Sequence, residues 1–126
     1  YNNFISDISA LGNLTGLKEL TLDKLAGWPK SNITDISSLA GLTAMQSLSL
    51  TNNAITDVSP LAGMTNMLFL YLGENSVTTG VADLVTMTGA AKISLTGNTG
   101  IPCADLATLT TALGSSVVTA PASCVP

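Results

Sequence analysis

Side-chain catalysis usually starts from a histidine, a free thiol or a pair of carboxylates, and this 126-residue chain has no histidine, two cysteines and eight Asp and Glu residues. Without an imidazole, and with no thiol left if Cys103 and Cys124 pair, the usual nucleophile and base combinations are missing. A carboxylate-only hydrolase would have to use positions such as Glu19 and Glu74, which no motif connects. The expectation is a protein that is not an enzyme and carries no cofactor. Three acids, Asp7, Asp35 and Asp57, recur in one setting, each followed by Ile or Val and then Ser. A carboxylate there accepts backbone N–H groups at the start of a short helical turn. The alternative, a ladder of stacked carboxylates holding a cation, is weakened because Thr79 and Cys103 occupy the corresponding places further on.

The elements that must position these side chains are repeats. The phrase Ile5-Ser-Asp-Ile8-Ser-Ala-Leu11 returns as Ile33-Thr-Asp-Ile36-Ser-Ser-Leu39 and Ile55-Thr-Asp-Val58-Ser-Pro-Leu61. A second phrase alternates with it: Leu17-Lys-Glu-Leu20-Thr-Leu22, Met45-Gln-Ser-Leu48-Ser-Leu50, Met67-Leu-Phe-Leu70-Tyr-Leu72 and Ala90-Ala-Lys-Ile93-Ser-Leu95, the last three leading to Asn53, Asn75 and Asn98. The composite LxxLxLxxN is the leucine-rich-repeat signature. Leu42 to Met64 spans 22 residues and Met64 to Met87 spans 23, the extra residue falling around Gly80. Leu14 to Leu42 spans 28, so about six residues within 24–31, including Trp28, are inserted after the first strand and must bulge out of the coil.

In a strand, alternate side chains share a face. Leu20/Leu22, Leu48/Leu50, Leu70/Leu72 and Ile93/Leu95 therefore point inward, and Glu19/Thr21, Ser47/Ser49, Phe69/Tyr71 and Lys92/Ser94 point to solvent. One coil cannot bury its apolar side alone, and stacking supplies the core. The Asn column, Asn3, Asn53, Asn75 and Asn98, is placed to bond backbone groups of neighbouring coils. Leu25 stands there in the coil with the insertion, so the ladder is interrupted or the inserted loop supplies the missing bonds.

A unit reading ITDISxLxxLTxLxxLxLxxN resembles the internalin-type leucine-rich repeats of bacterial surface and secreted proteins, over residues 3–109. The resemblance implies an α/β, right-handed solenoid, a horseshoe or curved rod with a parallel sheet on its concave side and short 3-10 turns opposite, and a protein partner held by exposed strand positions. The insertion and the lack of a recognisable N-terminal helical cap depart from the family pattern. Residues 1–100 read as the repeats and 101–126 as a C-terminal cap. In the cap, Leu106–Leu113 reads as an amphipathic helix and Val117-Val118 precedes Pro121 and Cys124. A Cys103–Cys124 disulfide stapling this cap is the favoured reading, the alternatives being a metal site or a redox pair, for which there is neither histidine nor a CxxC spacing. A structural disulfide places the protein outside a reducing cytoplasm, secreted or on a cell surface.

Only 10% of residues are charged and the net charge is −4. The lysines Lys18, Lys24, Lys30 and Lys92 form no cluster, which argues against nucleic acid and anionic membrane surfaces. No apolar run approaches the roughly 20 residues needed to cross a bilayer. The chain starts inside a repeat, as a processed, cleaved or truncated chain would, so its first coil should expose Ile5, Ile8 and Leu11 unless something covers them. Asn13-Leu-Thr15 and Asn32-Ile-Thr34 match the N-glycosylation pattern but also follow from the repeat phrases.

The candidate ligand-binding residues are Glu19, Thr21, Ser47, Ser49, Phe69, Tyr71, Lys92 and Ser94, centred on the two aromatics, because buried aromatic anchors are common interface hot spots. The bland alternative is that Phe69 and Tyr71 pack on each other or under the inserted loop. Trp28 is either a second anchor or the plug that pins that loop. Two functions follow: an extracellular module that binds a protein, or a glycan, through its concave face; and a structural subunit of a filament or surface layer that self-associates through the open N-terminal repeat.

Overall fold

The computed structural model describes residues 5–25 and 33–126. Asn3, Phe4, Trp28, Lys30 and Asn32 lie outside the described residues, as does most of the 24–31 insertion. Five short parallel strands form one sheet in chain order: β1 (Glu19–Thr21), β2 (Ser47–Ser49), β3 (Phe69–Tyr71), β4 (Lys92–Ser94) and β5 (Val118–Thr119). Their register pairs Leu20 with Leu48, Leu48 with Leu70, Leu70 with Ile93, and Ile93 with Val118. The inward residues are thus the LxL leucines and their equivalents, as the alternation requires.

Opposite the sheet run 3-10 turns at Ser9–Asn13, Ser37–Gly41, Ser59–Gly63 and Val81–Thr86. Each coil sends the same column inward: Ile33, Ile36, Leu39, Leu42, Met45, Leu48 and Leu50, then Ile55, Val58, Leu61, Met64, Met67, Leu70 and Leu72, all buried. Each such side chain contributes about 1.5–3 kcal/mol by leaving water. In the first described coil Ile5 is 38% and Leu14 49% exposed, whereas Ile8, expected to be exposed, is buried against the next coil.

The acid column caps these turns. The Ser9 N–H donates to Asp7 Oδ1 (2.9 Å), Ser37 N–H to Asp35 Oδ1 (2.8 Å) and Ser59 N–H to Asp57 Oδ1 (2.9 Å). The carboxylate comes from the residue before Ile8, Ile36 or Val58, whose own side chain is apolar and cannot cap. The fourth turn begins instead at Gly80, in the left-handed region at φ 91°, and a Cβ there would collide with the Ser59 backbone nitrogen. Only glycine fits this approach.

The asparagine ladder ties coil to coil. Asn75 Nδ2 donates to the carbonyls of Leu50 (2.9 Å) and Leu72 (3.0 Å), and Asn98 Nδ2 to those of Leu72 (2.9 Å) and Leu95 (3.1 Å). Their Oδ1 atoms accept the N–H groups of Ile55 and Val77, each at 3.1 Å. Asn53 keeps the donor half, to Leu22 and Leu50, but its buried Oδ1 has no partner among the described residues. Of the two expectations beside Leu25, an interruption is what the described residues display, and the inserted loop lies outside them. Other bonds join the two coils: Asp23 Oδ1 accepts the Ser49 hydroxyl (2.6 Å) and the Thr51 N–H (2.8 Å), and Asn52 Nδ2 donates to the carbonyls of Lys24 (3.2 Å) and Leu25 (2.8 Å).

Helix α1 (Cys103–Leu113) begins three residues before the expected helix and packs on the Val81–Thr86 turn with Leu106 and Leu109 buried. Gly114, at φ 98°, ends it and turns the chain into β5, an additional strand on the sheet that the Val117-Val118 pair did not announce. Cys103 and Cys124 form a disulfide with Cα atoms 5.0 Å apart. The tail runs beside the start of α1, with Cys103 N–H donating to the Val125 carbonyl and Val125 N–H to that of Ile101, both at 2.8 Å.

Candidate binding face

The register sets the outward side chains in rows across the sheet. One row is Glu19, Ser47, Phe69 and Lys92, and the next is Thr21, Ser49, Tyr71, Ser94 and Thr119. Neighbours in a row are about 4.8 Å apart. All eight expected face residues therefore lie on one surface, while Trp28 lies outside the described residues.

Phe69 is 41% and Tyr71 36% exposed, and Leu68, at the leading end of the same strand, is 40% exposed. These three make one coil apolar where its neighbours carry Gln46, Ser47 and Ser49 on one side and Ala91, Lys92 and Ser94 on the other. Leu68 was missed because it stands one residue before the alternating strand stretch Phe69–Tyr71, where period-2 reasoning assigns no face. Its signal was the unbroken run Met67-Leu-Phe-Leu70-Tyr-Leu72, where other coils interpose polar residues.

Several face residues are already engaged. The Ser49 hydroxyl donates to Asp23, and Lys92 Nζ donates to Thr119 Oγ1. The Ser94 and Thr96 hydroxyls are 3.3 Å apart. Beyond β3, Gly73 is buried, and a Cβ on it would press on Thr96 Oγ1. The next residue, Glu74, is exposed and holds a left-handed φ of 54° at the place where the flanking coils have Asn52 (63°) and Gly97 (78°). Its N–H donates to the Thr96 carbonyl (2.8 Å), and its carboxylate lies where a Cβ on Gly97 would be.

On the turn side, Asp7, Asp35, Ser9 and Ser37 line a shallow recess. The Ser9 N–H and then its hydroxyl hold the Asp7 carboxyl below its ordinary value. For Asp35 the Ser37 hydroxyl comes first and its N–H second. Among the described residues, no group of three or more His, Cys, Asp or Glu side chains is placed to hold a metal ion. No described helix is long and apolar enough to cross a membrane.

No protein family and no curated protein matches the chain. Solved structures do. An internalin (inlF) from Listeria monocytogenes superposes on all of the chain with a TM-score of 0.84 and 23% identity. Internalin C2 from the same organism superposes on 92% of it with a TM-score of 0.71 and 29% identity. The chain covers 35% of the first protein and 57% of the second. Coil, ladder and superposition agree on the fold: a leucine-rich-repeat coil similar to that of these internalins.

Proposed function

We propose that the chain is a non-enzymatic binding module, a right-handed solenoid whose concave strand face grips another protein outside the cell. The observation that carries this is the exposed pair Phe69 and Tyr71 on β3, with the exposed Leu68 just before it. Exposed aromatics give a monomer in water nothing, whereas in an interface they are the residues most often decisive. The Cys103–Cys124 disulfide supports a secreted or surface location. Residues 101–126, with α1 and the held tail, act as the closing cap. A glycan is the lesser alternative as ligand.

The test is a binding screen of purified extracellular proteins against the parent chain and the Phe69→Ala/Tyr71→Ala double variant. A specific binder that loses tenfold or more in affinity for the double variant supports the reading. A specific binder that holds both equally would sink it.

Self-association is the second reading, and the exposed Ile5 and Leu14 favour it. The amides of Glu19 and Thr21 on β1 face away from β2, and no described strand pairs with them. Light scattering on the eluting chain separates the two readings: a monomer leaves the module, and a concentration-dependent oligomer favours the subunit.

A further inference from the structure

We propose that this face receives a basic protein segment, an arginine or lysine side chain lying over the Tyr71 ring with its cation against the Glu74 carboxylate. The proposal rests on the binding reading above and names the chemistry of the partner.

Charge is unevenly spread along the strands. At their leading ends Lys18, Glu19 and Lys92 mix both signs, and Lys92 is held by Thr119. At their trailing ends stand Asp23, Lys24 and Glu74, of which Lys24 is buried. Asp23 is consumed by Ser49 and Thr51. Glu74 makes its backbone bond to Thr96, and its carboxylate has no hydrogen-bond partner among the described residues. It is thus an exposed charge three residues beyond Tyr71 whose carboxylate the described fold does not engage.

The fold also gains nothing from glutamate at that position. The left-handed conformation suits the Asn and Gly of the flanking coils and is unfavourable for other side chains. Glu74 stands three residues beyond Tyr71, at most about 10 Å along the chain, a gap that a long basic side chain laid on the ring can span. A guanidinium stacks on an aromatic face and pairs with a carboxylate through its planar fork. Leu68 and Phe69 then offer an apolar contact to a neighbouring side chain of the same segment.

The experiment is an NMR titration of the labelled 126-residue chain at low ionic strength with two capped peptides, Leu-Gly-Arg-Gly and Leu-Gly-Glu-Gly. The arginine peptide should shift Tyr71, Glu74 and Thr96 and bind at least fivefold more tightly than the glutamate peptide. Glu74→Asn should weaken the arginine peptide about fivefold while holding or raising Tm. Opposite signs in binding and stability are what a merely structural role would not produce. No binding, equal binding of the two peptides, or an unchanged affinity in Glu74→Asn overturns the proposal. If both peptides bind equally and both are lost in Phe69→Ala/Tyr71→Ala, the basic partner fails while the binding face stands. If the peptide shifts lie elsewhere and the double variant binds normally, both fail.

Discussion

Asn75 reaches back one coil to Ile55, its Oδ1 accepting the Ile55 N–H at 3.1 Å while its Nδ2 holds the Leu50 and Leu72 carbonyls. One buried amide so bonds four backbone groups in two coils, the Gly73 carbonyl at 3.2 Å included, and the side chain acts as a rung between layers. Asn53, one layer earlier, has the same donor contacts but an Oδ1 with no partner among the described residues.

Asn75→Ala should therefore lower stability by roughly 3 kcal/mol, from the lost bonds and the Ile55 N–H they leave unpaired, while the Leu50 and Leu72 carbonyls keep Asn53 and Asn98. Asn53→Ala should cost about 1 kcal/mol less, since its acceptor contributes no bond to lose. Urea denaturation of the two variants checks the order, and equal losses would contradict it.

Gly80→Ala brings a Cβ into the Ser59 backbone and forces a left-handed φ on alanine. A loss of about 2 kcal/mol or more is expected. Gly89→Ala, where a Cβ would meet nothing within 4 Å, should stay within about 0.5 kcal/mol of the parent. Thermal melts of the pair decide it.

Reducing Cys103–Cys124, which closes a separation of 21 residues, should cost about 3 kcal/mol on the loop-entropy account. Hydrogen exchange should rise first at Cys103 and Val125, whose amides clamp the tail. Protection that falls evenly across the coils instead would show that the tail has no local role.

Asp7 and Asp35 titrate below the ordinary carboxyl value of 3.8 because Ser9 and Ser37 donate to their charged forms. A lowered folded-state pKa gives stability that is fully present above the unfolded value and disappears as pH falls through the folded one. Urea midpoints should be insensitive to these groups from pH 6 to about 4 and fall below that. Asp7→Asn and Asp35→Asn should flatten the acid limb, and an unchanged limb would mean that other carboxylates govern it.

The alternation in Leu20, Leu48, Leu70 and Ile93 was enough to fix which side of each strand faces in, because a slip of one residue would turn the whole column to water. Asp7, Asp35 and Asp57 declared their capping role by recurring at one place in the phrase. Less visible was β5: Val118-Thr119 lacks the LxL pattern and joins the sheet only because α1 and Gly114 deliver it there. Asp23 stood outside the repeat phrases, yet its carboxylate braces the next coil by accepting the Ser49 hydroxyl and the Thr51 N–H. The left-handed φ of Glu74 was invisible because glutamate does not advertise that conformation as Asn52 and Gly97 do.

Since each coil supplies one strand, and Leu48 meets Leu70 after 22 positions and Leu70 meets Ile93 after 23, the surface is assembled like type in a line. Gaining or losing a whole coil between β1 and β3 would move the Phe69/Tyr71 column by about 4.8 Å relative to Glu19, while every inward leucine still met its counterpart. Partner preference in such a lineage can change by discrete jumps of one strand width through unequal recombination, without passing through an unfolded intermediate sequence.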